Sequence, residues 1–478
     1  MKTLKEKTAS GLFWGVMSNG STQILTVVIG IVLARLLSTA DYGLVGMLAM
    51  FTAIAGALQE SGFTSALVNL DKPEDNDYNS VFWFSLLMGL SLYALLFLCA
   101  PLIAMFFHQP KLIELSKVAF LTIPISAIGI VPQAYLFKNL KVKETTYIRI
   151  TANIVMGVVG ITMALNGNAY WSLVWQQITY TLITSFGKFL LIPWRPSLHI
   201  DFSPVKRMFG FSCKIMFSSI VNTISNNILT FIFGRLFSAG TVGNFSQASK
   251  WNTTAHTLVS GTVAQVAQPV FTSVGEDNDR LINVFRKMIR FTAFLAFPVM
   301  FGLAIISQEF IIIAIGKKWI DSIALLQILC ISGAFLPLHA IYQNLIISKG
   351  RSDIYMWCNI GLIAGSIITI LVMGRFGIEV MVGAYSLLNI LWIGVWQYCA
   401  KRIIGIHHRD IIMDVAPFCL AAFAVMAVTF FIASYVDNIV LRLTIKIILA
   451  AILYFITMKL AHVKMLDECL NFLFHRKA

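Results

Sequence analysis

Ala34-Arg-Leu-Leu-Ser-Thr-Ala-Asp-Tyr-Gly43 and Gly234-Arg-Leu-Phe-Ser-Ala-Gly-Thr-Val-Gly243 share Arg, Leu, Ser and Gly at identical spacing, 200 residues apart. Each stretch closes one long apolar run, turns, and opens another, so the match marks the same corner in two copies of a repeat. Outward from these corners, apolar runs of about twenty residues alternate with short charged loops, the length that crosses a hydrocarbon layer. Backbone groups in lipid must be satisfied within the segment, so the runs are predicted as helices.

Composition agrees. Of 478 residues, 58% are hydrophobic and 12% charged, against about 25% charged in a soluble domain. The basic Met1–Lys7 stretch leads into the run Gly11–Leu37. That run is too long for a signal-peptide core and shows no clear cleavage site, so it reads as an uncleaved first span. The seven cysteines are scattered without CxxC or zinc spacing, so neither a disulfide nor a metal is assigned.

The predicted spans are 12–34, 42–60, 80–105, 115–136, 146–165 and 170–191, then 212–236, 243–270, 289–314, 324–347, 354–374 and 379–400, and finally 415–435 and 440–459. Six spans preserve chain direction. The repeat therefore implies two parallel six-helix lobes related by a pseudo-two-fold along the membrane normal, a plan known among transporters. With the N-terminus cytoplasmic, 26 of the 36 Lys and Arg are assigned to the loops, tails and span ends of that side and nine to the other, with Lys250 left deeper inside its span. The positive-inside bias thus places both termini in the cytoplasm. It also accounts for the net charge of +14 without nucleic-acid binding.

No connection is long enough to hold a soluble catalytic domain. No GxxxxGK[ST], HExxH or GxSxG is present. The His407-His408 pair lies in a basic loop and reads as solvated. Many spans, a repeat and no catalytic constellation point to a secondary transporter, not an enzyme, and to no cofactor.

Candidate binding residues concentrate in the eighth span, Asn244-Phe-Ser-Gln-Ala-Ser-Lys250-Trp-Asn-Thr-Thr-Ala-His256. At 100° per residue, Gln247, Lys250, Trp251, Thr254, Gly261, Gln265 and Gln268 share one face. Ser219, Asn222 and Asn226 line one side of the seventh span; Asn19, Gln23 and Thr26 form a weaker counterpart in the first. Such side chains either hydrogen-bond between helices or line a polar cavity, and the expectation is the cavity. A lysine inside a span costs roughly 2.5–3.5 kcal/mol and normally faces protein or water, so Lys250 is the candidate cation for an anionic substrate. Glu60 is read as the one carboxylate near the hydrophobic interior, either a helix-end residue or a coupling site. Arg35 and Arg235 close the repeats as cations at helix C-termini, with gating or substrate contact as the alternative.

Leu4-Lys-Glu-Lys-Thr-Ala-Ser-Gly-Leu-Phe-Trp14, Ala34-Arg-Leu-Leu with Tyr42-Gly43, Glu60-Ser-Gly-Phe-Thr-Ser-Ala-Leu-Val68, Gly316-Lys-Lys-Trp-Ile-Asp-Ser322 and Leu325-Leu-Gln-Ile-Leu-Cys330 carry a resemblance. They resemble the Wzx-type polysaccharide flippases of the multidrug/oligosaccharidyl-lipid/polysaccharide exporter superfamily, near the colanic acid exporter branch. The resemblance covers almost the whole chain. It implies an all-α membrane protein of about fourteen transmembrane helices. These would form an N-lobe (1–191), a cytoplasmic connection (192–210), a C-lobe (211–401) and two appended helices with a tail (402–478).

The implied substrate is a polyprenyl-diphosphate-linked oligosaccharide, moved by alternating access from the cytoplasmic to the periplasmic leaflet of a bacterial inner membrane. A polysaccharide polymerase and other assembly proteins would be its partners. Lys250 would hold the diphosphate, and Gln247, Trp251, Thr254, Asn222, Asn226, Asn19 and Gln23 would meet diphosphate or sugar. The superfamily often shows several cavity arginines, whereas this chain shows one clear intramembrane cation. The alternative on the same fold is a cation-coupled multidrug antiporter. A third possibility is a non-transporting partner in envelope assembly.

Overall fold

A computed structural model describes residues 4–273, 277–463 and 465–468, and among these the chain is helical with no strand. Contacts divide it into two compact units, one ending at Gly243 and the other beginning at Asn244.

The first unit holds α1 (Leu4–Leu36), α2 (Thr39–Asn69), α3 (Asp75–Phe107), α4 (Leu112–Ala119), α5 (Thr122–Ile128), α6 (Ile130–Lys138), α7 (Val142–Leu165), α8 (Trp171–Leu191) and α9 (Ser203–Leu236), and it ends within α10 (Ala239–Ser273). The second holds the rest of α10, then α11 (Asn278–Phe310), α12 (Ser322–Gly333), α13 (Leu336–Ser348), α14 (Ser352–Met373), α15 (Ile378–Ile404), α16 (His408–Ala433) and α17 (Ile439–Leu460).

Every predicted span coincides with a helical segment, but the count of fourteen crossings does not follow. Among the described residues eleven segments are long and apolar enough to cross a membrane, or twelve if the bent pair Leu112–Ile128 and Ile130–Lys138 is one span. The remaining two, α8 and α10, have the length but not the apolarity. Polar residues such as Gln176 and Gln177 in α8 and the Asn244–His256 stretch in α10 are responsible. Outward faces are otherwise aliphatic: on α3, Leu98, Leu102 and Met105 are 75%, 62% and 70% exposed, an inside-out surface suited to lipid.

In the first unit, α2 and α9 pack antiparallel along most of their length. Gly62 lies against the Ser212 backbone, and Gly234 against Phe107 and Met47; small residues permit such close approach where water supplies no drive. The capping box at Ser38, whose Oγ faces the Asp41 amide while Asp41 accepts from the Ser38 amide at 2.9 Å, starts α2 sharply. The connection beyond α8 is strapped to the first turns of α3. Asn76 donates to Asp201 (2.9 Å) and Trp83 to the Ser197 carbonyl (2.7 Å), and just beyond the connection Arg207 of α9 pairs with Asp77 (2.7 Å). Asn79 donates to the His199 carbonyl and accepts from the Ser197 amide.

In the second unit α11 carries Pro298 and α16 carries Pro417 within the helix. The rod continuing α11 ends at Gly316, whose φ of +102° suits glycine. In the tail after α17, residues 464 and 469–478 lie outside the described residues, and Glu468 pairs with Lys287 at 2.8 Å.

Candidate functional site in each helical unit

The first unit contains a polar cavity of about 250 Å³ bounded by α1, α7 and α8. Thr22, Gln23 and Thr26 reach it from α1, Arg149 and Asn153 from α7, and Gln177 and Tyr180 from α8. Close packing holds the walls. Gly157 lies under Ile29 and Gly160 under Gln176, so three helices converge where a larger residue would wedge them apart. Asn153 donates to the Arg149 carbonyl at 2.8 Å and accepts from Thr26 at 3.4 Å, which fixes its amide. Arg149 is half-buried. The cavity offers one guanidinium, hydroxyls and amides, with no carboxylate among its lining residues.

Of the predicted first-span residues, Gln23 lines this cavity while Asn19 is exposed. Arg149 is a cavity residue that sequence reasoning missed. Near the start of the predicted span 146–165, it counts with the cations of the cytoplasmic side, whereas α7 begins earlier, at Val142. Asn153 on α7 and Gln177 and Tyr180 on α8 are too far apart in sequence to give a local signal of convergence.

The second unit presents the polar face of α10. Gln247 is buried with neither side-chain amide atom hydrogen-bonded, and the indole Nε1 of buried Trp251 is likewise unpartnered. Trp251 meets Phe310 edge-on at 4.9 Å between ring centres. Half-buried Lys250 lies with Nζ 5.5 Å from the centre of the Trp251 ring, and Thr254 is half-buried one turn on. A cation stacked on an indole, beside an amide and an indole N–H that lack hydrogen-bond partners, forms a donor-rich surface, since unmet buried polar groups are costly unless something satisfies them. The side chains of Gln265 and Gln268, predicted on the same face, lie outside the described residues.

Asn222 is half-buried on α9 and Asn226 is exposed there. Glu60 falls within α2, its side chain outside the described residues. Arg35 and Arg235 stand in the last turns of α1 and α9; Arg235 also contacts His108 and lies 5.5 Å from the Phe106 ring centre.

One expectation is overturned: Glu60 is not the sole carboxylate of the interior. Glu309, at the end of α11, is fully buried, and Lys446 of α17, counted above among loop and span-end cations, is 2% exposed. Lys446 donates to Glu309 and to the Ile305 carbonyl, both at 2.7 Å, with Arg442 3.5 Å from the same carboxylate. Asp414 of α16 is buried too, held by Arg286 at 2.6 Å. In sequence Glu309 and Lys446 lie in two different predicted spans, and Arg286 and Asp414 lie just before two others, so nothing local pairs them. Asp414 is held through both oxygens by Arg286, and Glu309 is ion-paired through Oε1 while its buried Oε2 has no hydrogen-bond partner, so each carboxylate is balanced by a cation of the chain.

An all-helical polytopic membrane protein with cation-and-amide surfaces in its interior belongs structurally with the membrane translocators. The chain belongs to the polysaccharide biosynthesis protein family, whose model matches residues 32–324. Among curated relatives, lipopolysaccharide biosynthesis protein WzxC of Escherichia coli strain K12 is 25% identical over 75% of this chain and 73% of that protein. Teichuronic acid biosynthesis protein TuaB of Bacillus subtilis strain 168 is 24% identical over 82% and 80%. Succinoglycan biosynthesis transport protein ExoT of Rhizobium meliloti strain 1021 is 24% identical over 74% and 72%. Among solved structures, the lipid II flippase MurJ shares the fold at TM-score 0.76 and 14% identity, covering 94% of this chain and 99% of that one. A multidrug resistance MATE family transporter shares it at 0.66 and 14% identity, over 80% and 94%.

Proposed function

We propose that the protein flips a polyprenyl-diphosphate-linked oligosaccharide repeat unit from the cytoplasmic to the periplasmic leaflet of a bacterial inner membrane, for surface polysaccharide synthesis. The observation that carries the reading is the first unit's cavity, where Arg149 stands among Thr, Gln, Asn and Tyr without a carboxylate. A guanidinium suits a diphosphate, and amides and hydroxyls suit sugar hydroxyls. Lys250 and Trp251 on α10 offer the same chemistry. A sugar head cannot cross hydrocarbon, so it requires such polar shelter. A separate cavity of about 420 Å³ between α11, α16 and α17, lined by Val299, Ile306, Ile447 and Tyr454 with Lys446, suits a prenyl tail.

In this reading two six-helix lobes, 1–191 and 211–401, alternate access around the head group, with Arg35 and Arg235 near the gate and both termini cytoplasmic. With the cytoplasm negative, moving an anionic head outward is favourable by ~2.3 kcal/mol per charge per 100 mV, so no carboxylate relay is required. The MATE-like fold supports antiport of cationic drugs as a second reading, but antiporters of cations need accessible buried carboxylates, and Glu309 and Asp414 are ion-paired.

The test is reconstitution in vesicles with a labelled polyprenyl-diphosphate oligosaccharide, following its transfer between leaflets with and without an imposed potential. Transfer dependent on the protein supports the flippase. Export of small organic cations with no transfer of any diphosphate-linked glycan establishes the antiporter instead.

A further inference from the structure

We infer that a furrow between α13, α15 and α16 is a binding site for one anionic phospholipid of the cytoplasmic leaflet, separate from the transported substrate. The cavity measures about 530 Å³ and is lined by apolar side chains, among them Phe335, Leu338, Ile390 and Cys419, with Leu391 and Ile412 exposed at 64% and 63%. Exposed aliphatic lining residues open the furrow to hydrocarbon, so an acyl chain can enter laterally. Gly394 lines it as well, and a Cβ there would meet nothing within 4 Å; the glycine leaves depth that a larger residue would fill.

The furrow has a polarity. Ile390, Gly394 and Gln397 line it at helical spacing along α15, so Lys401, one turn further, continues the stripe at the mouth. On α16 the lining starts at His408, the first residue of the helix, with exposed Arg409 next to it. Arg402 is exposed beside Lys401. The acid of this turn, Asp410, is turned to Arg286 at 3.6 Å. The mouth is therefore cationic, and the N-terminal dipole of α16 adds to it.

It is also fixed in advance. Tyr342 donates to Gln397 at 2.9 Å, and Gln397 donates to the Ile406 carbonyl at 3.2 Å. This buried chain pins the α15–α16 turn, where Gly405 adopts φ +80°. A basic mouth at the cytoplasmic ends of helices above an apolar slot is the chemistry that selects anionic lipids; a zwitterionic head group gains little there.

The experiment uses the full chain, delipidated in detergent and titrated with dioleoyl phosphatidylglycerol or dioleoyl phosphatidylcholine, with bound lipid counted by native mass spectrometry. Wild type is expected to retain phosphatidylglycerol preferentially. Lys401→Gln and Arg409→Gln should each lower that preference about fivefold, and Gly394→Leu should lose both lipids while unfolding at an unchanged temperature. Equal retention of the two lipids by wild type, or unchanged binding in all three variants, overturns the site. Displacement of bound phosphatidylglycerol by an equal concentration of polyprenyl diphosphate assigns the furrow to the transported lipid and overturns the phospholipid reading, leaving the flippase reading intact.

Discussion

Gly43 and Gly243, 200 residues apart in the two repeats, lie against each other's helix starts. A Cβ on Gly43 would overlap the Ala239 carbonyl, and one on Gly243 would overlap the carbonyl of Thr39. The Gly243 Cβ would also stand 3.1 Å from the Gly43 amide nitrogen. Since 39 and 239 are themselves repeat partners, the contact is reciprocal. The glycines are needed because backbone meets backbone there, which no rotamer change relieves.

Gly43→Ala and Gly243→Ala should therefore each destabilise by at least about 1–3 kcal/mol, the usual cost of overpacking. Gly56→Ala, where nothing lies within 4 Å, should be neutral or stabilising by up to about 1 kcal/mol. Thermal unfolding in detergent measures both; equal behaviour of Gly43→Ala and Gly56→Ala would contradict the crossing.

Removing one member of the buried pair, as in Glu309→Leu or Lys446→Met, should cost about 3–5 kcal/mol by stranding the other charge. The double variant Glu309→Leu/Lys446→Met should recover most of that loss. A double-mutant cycle on unfolding free energy reads the coupling, and additive losses would show that the two charges do not share one site.

Arg149→Gln and Lys250→Gln should each slow glycolipid transfer about tenfold or more, since a charge-assisted hydrogen bond contributes about 1.5–3 kcal/mol. Unfolding temperatures should stay unchanged. A variant with wild-type transfer rate removes that cation from the substrate path.

The strap responds to acid. The Ser203 amide and the Asn76 side chain donate to the Asp201 carboxylate and hold its pKa near 2, below the ordinary 3.8. A depressed carboxylate contributes stability above its unfolded pKa and loses it as pH falls through the folded one. Cleavage of the connection by an acid protease should therefore rise between about pH 4 and pH 2, and Asp201→Asn should be cleaved at one rate across that window.

What could be read beforehand divides by physical cause. Helix positions followed from hydrocarbon thickness, which is why every predicted span fell on helical chain, although 115–136 is divided among α4, α5 and α6 and 324–347 between α12 and α13. The corner shared by Arg35 and Arg235 was visible because Arg, Leu, Ser and Gly repeat at one spacing, though nothing in that spacing told that its two glycines touch. Crossing number was less legible, because α8 and α10 are polar enough that length and apolarity part company. Lys250 stood out as a charge in a run. Arg149 and the Glu309–Lys446 pair did not, because their meaning depends on neighbours from other helices, and one strand of text shows no neighbours.

The chain's join between α8 and α9 invites a different kind of use. Because α9 is zipped to α2 and the join is itself fastened to α3, the covalent link holds nothing that side chains do not already hold. A gene cut between codons 192 and 202 and expressed as two fragments should thus reassemble in the membrane, giving a split protein whose halves can be labelled, exchanged or titrated independently.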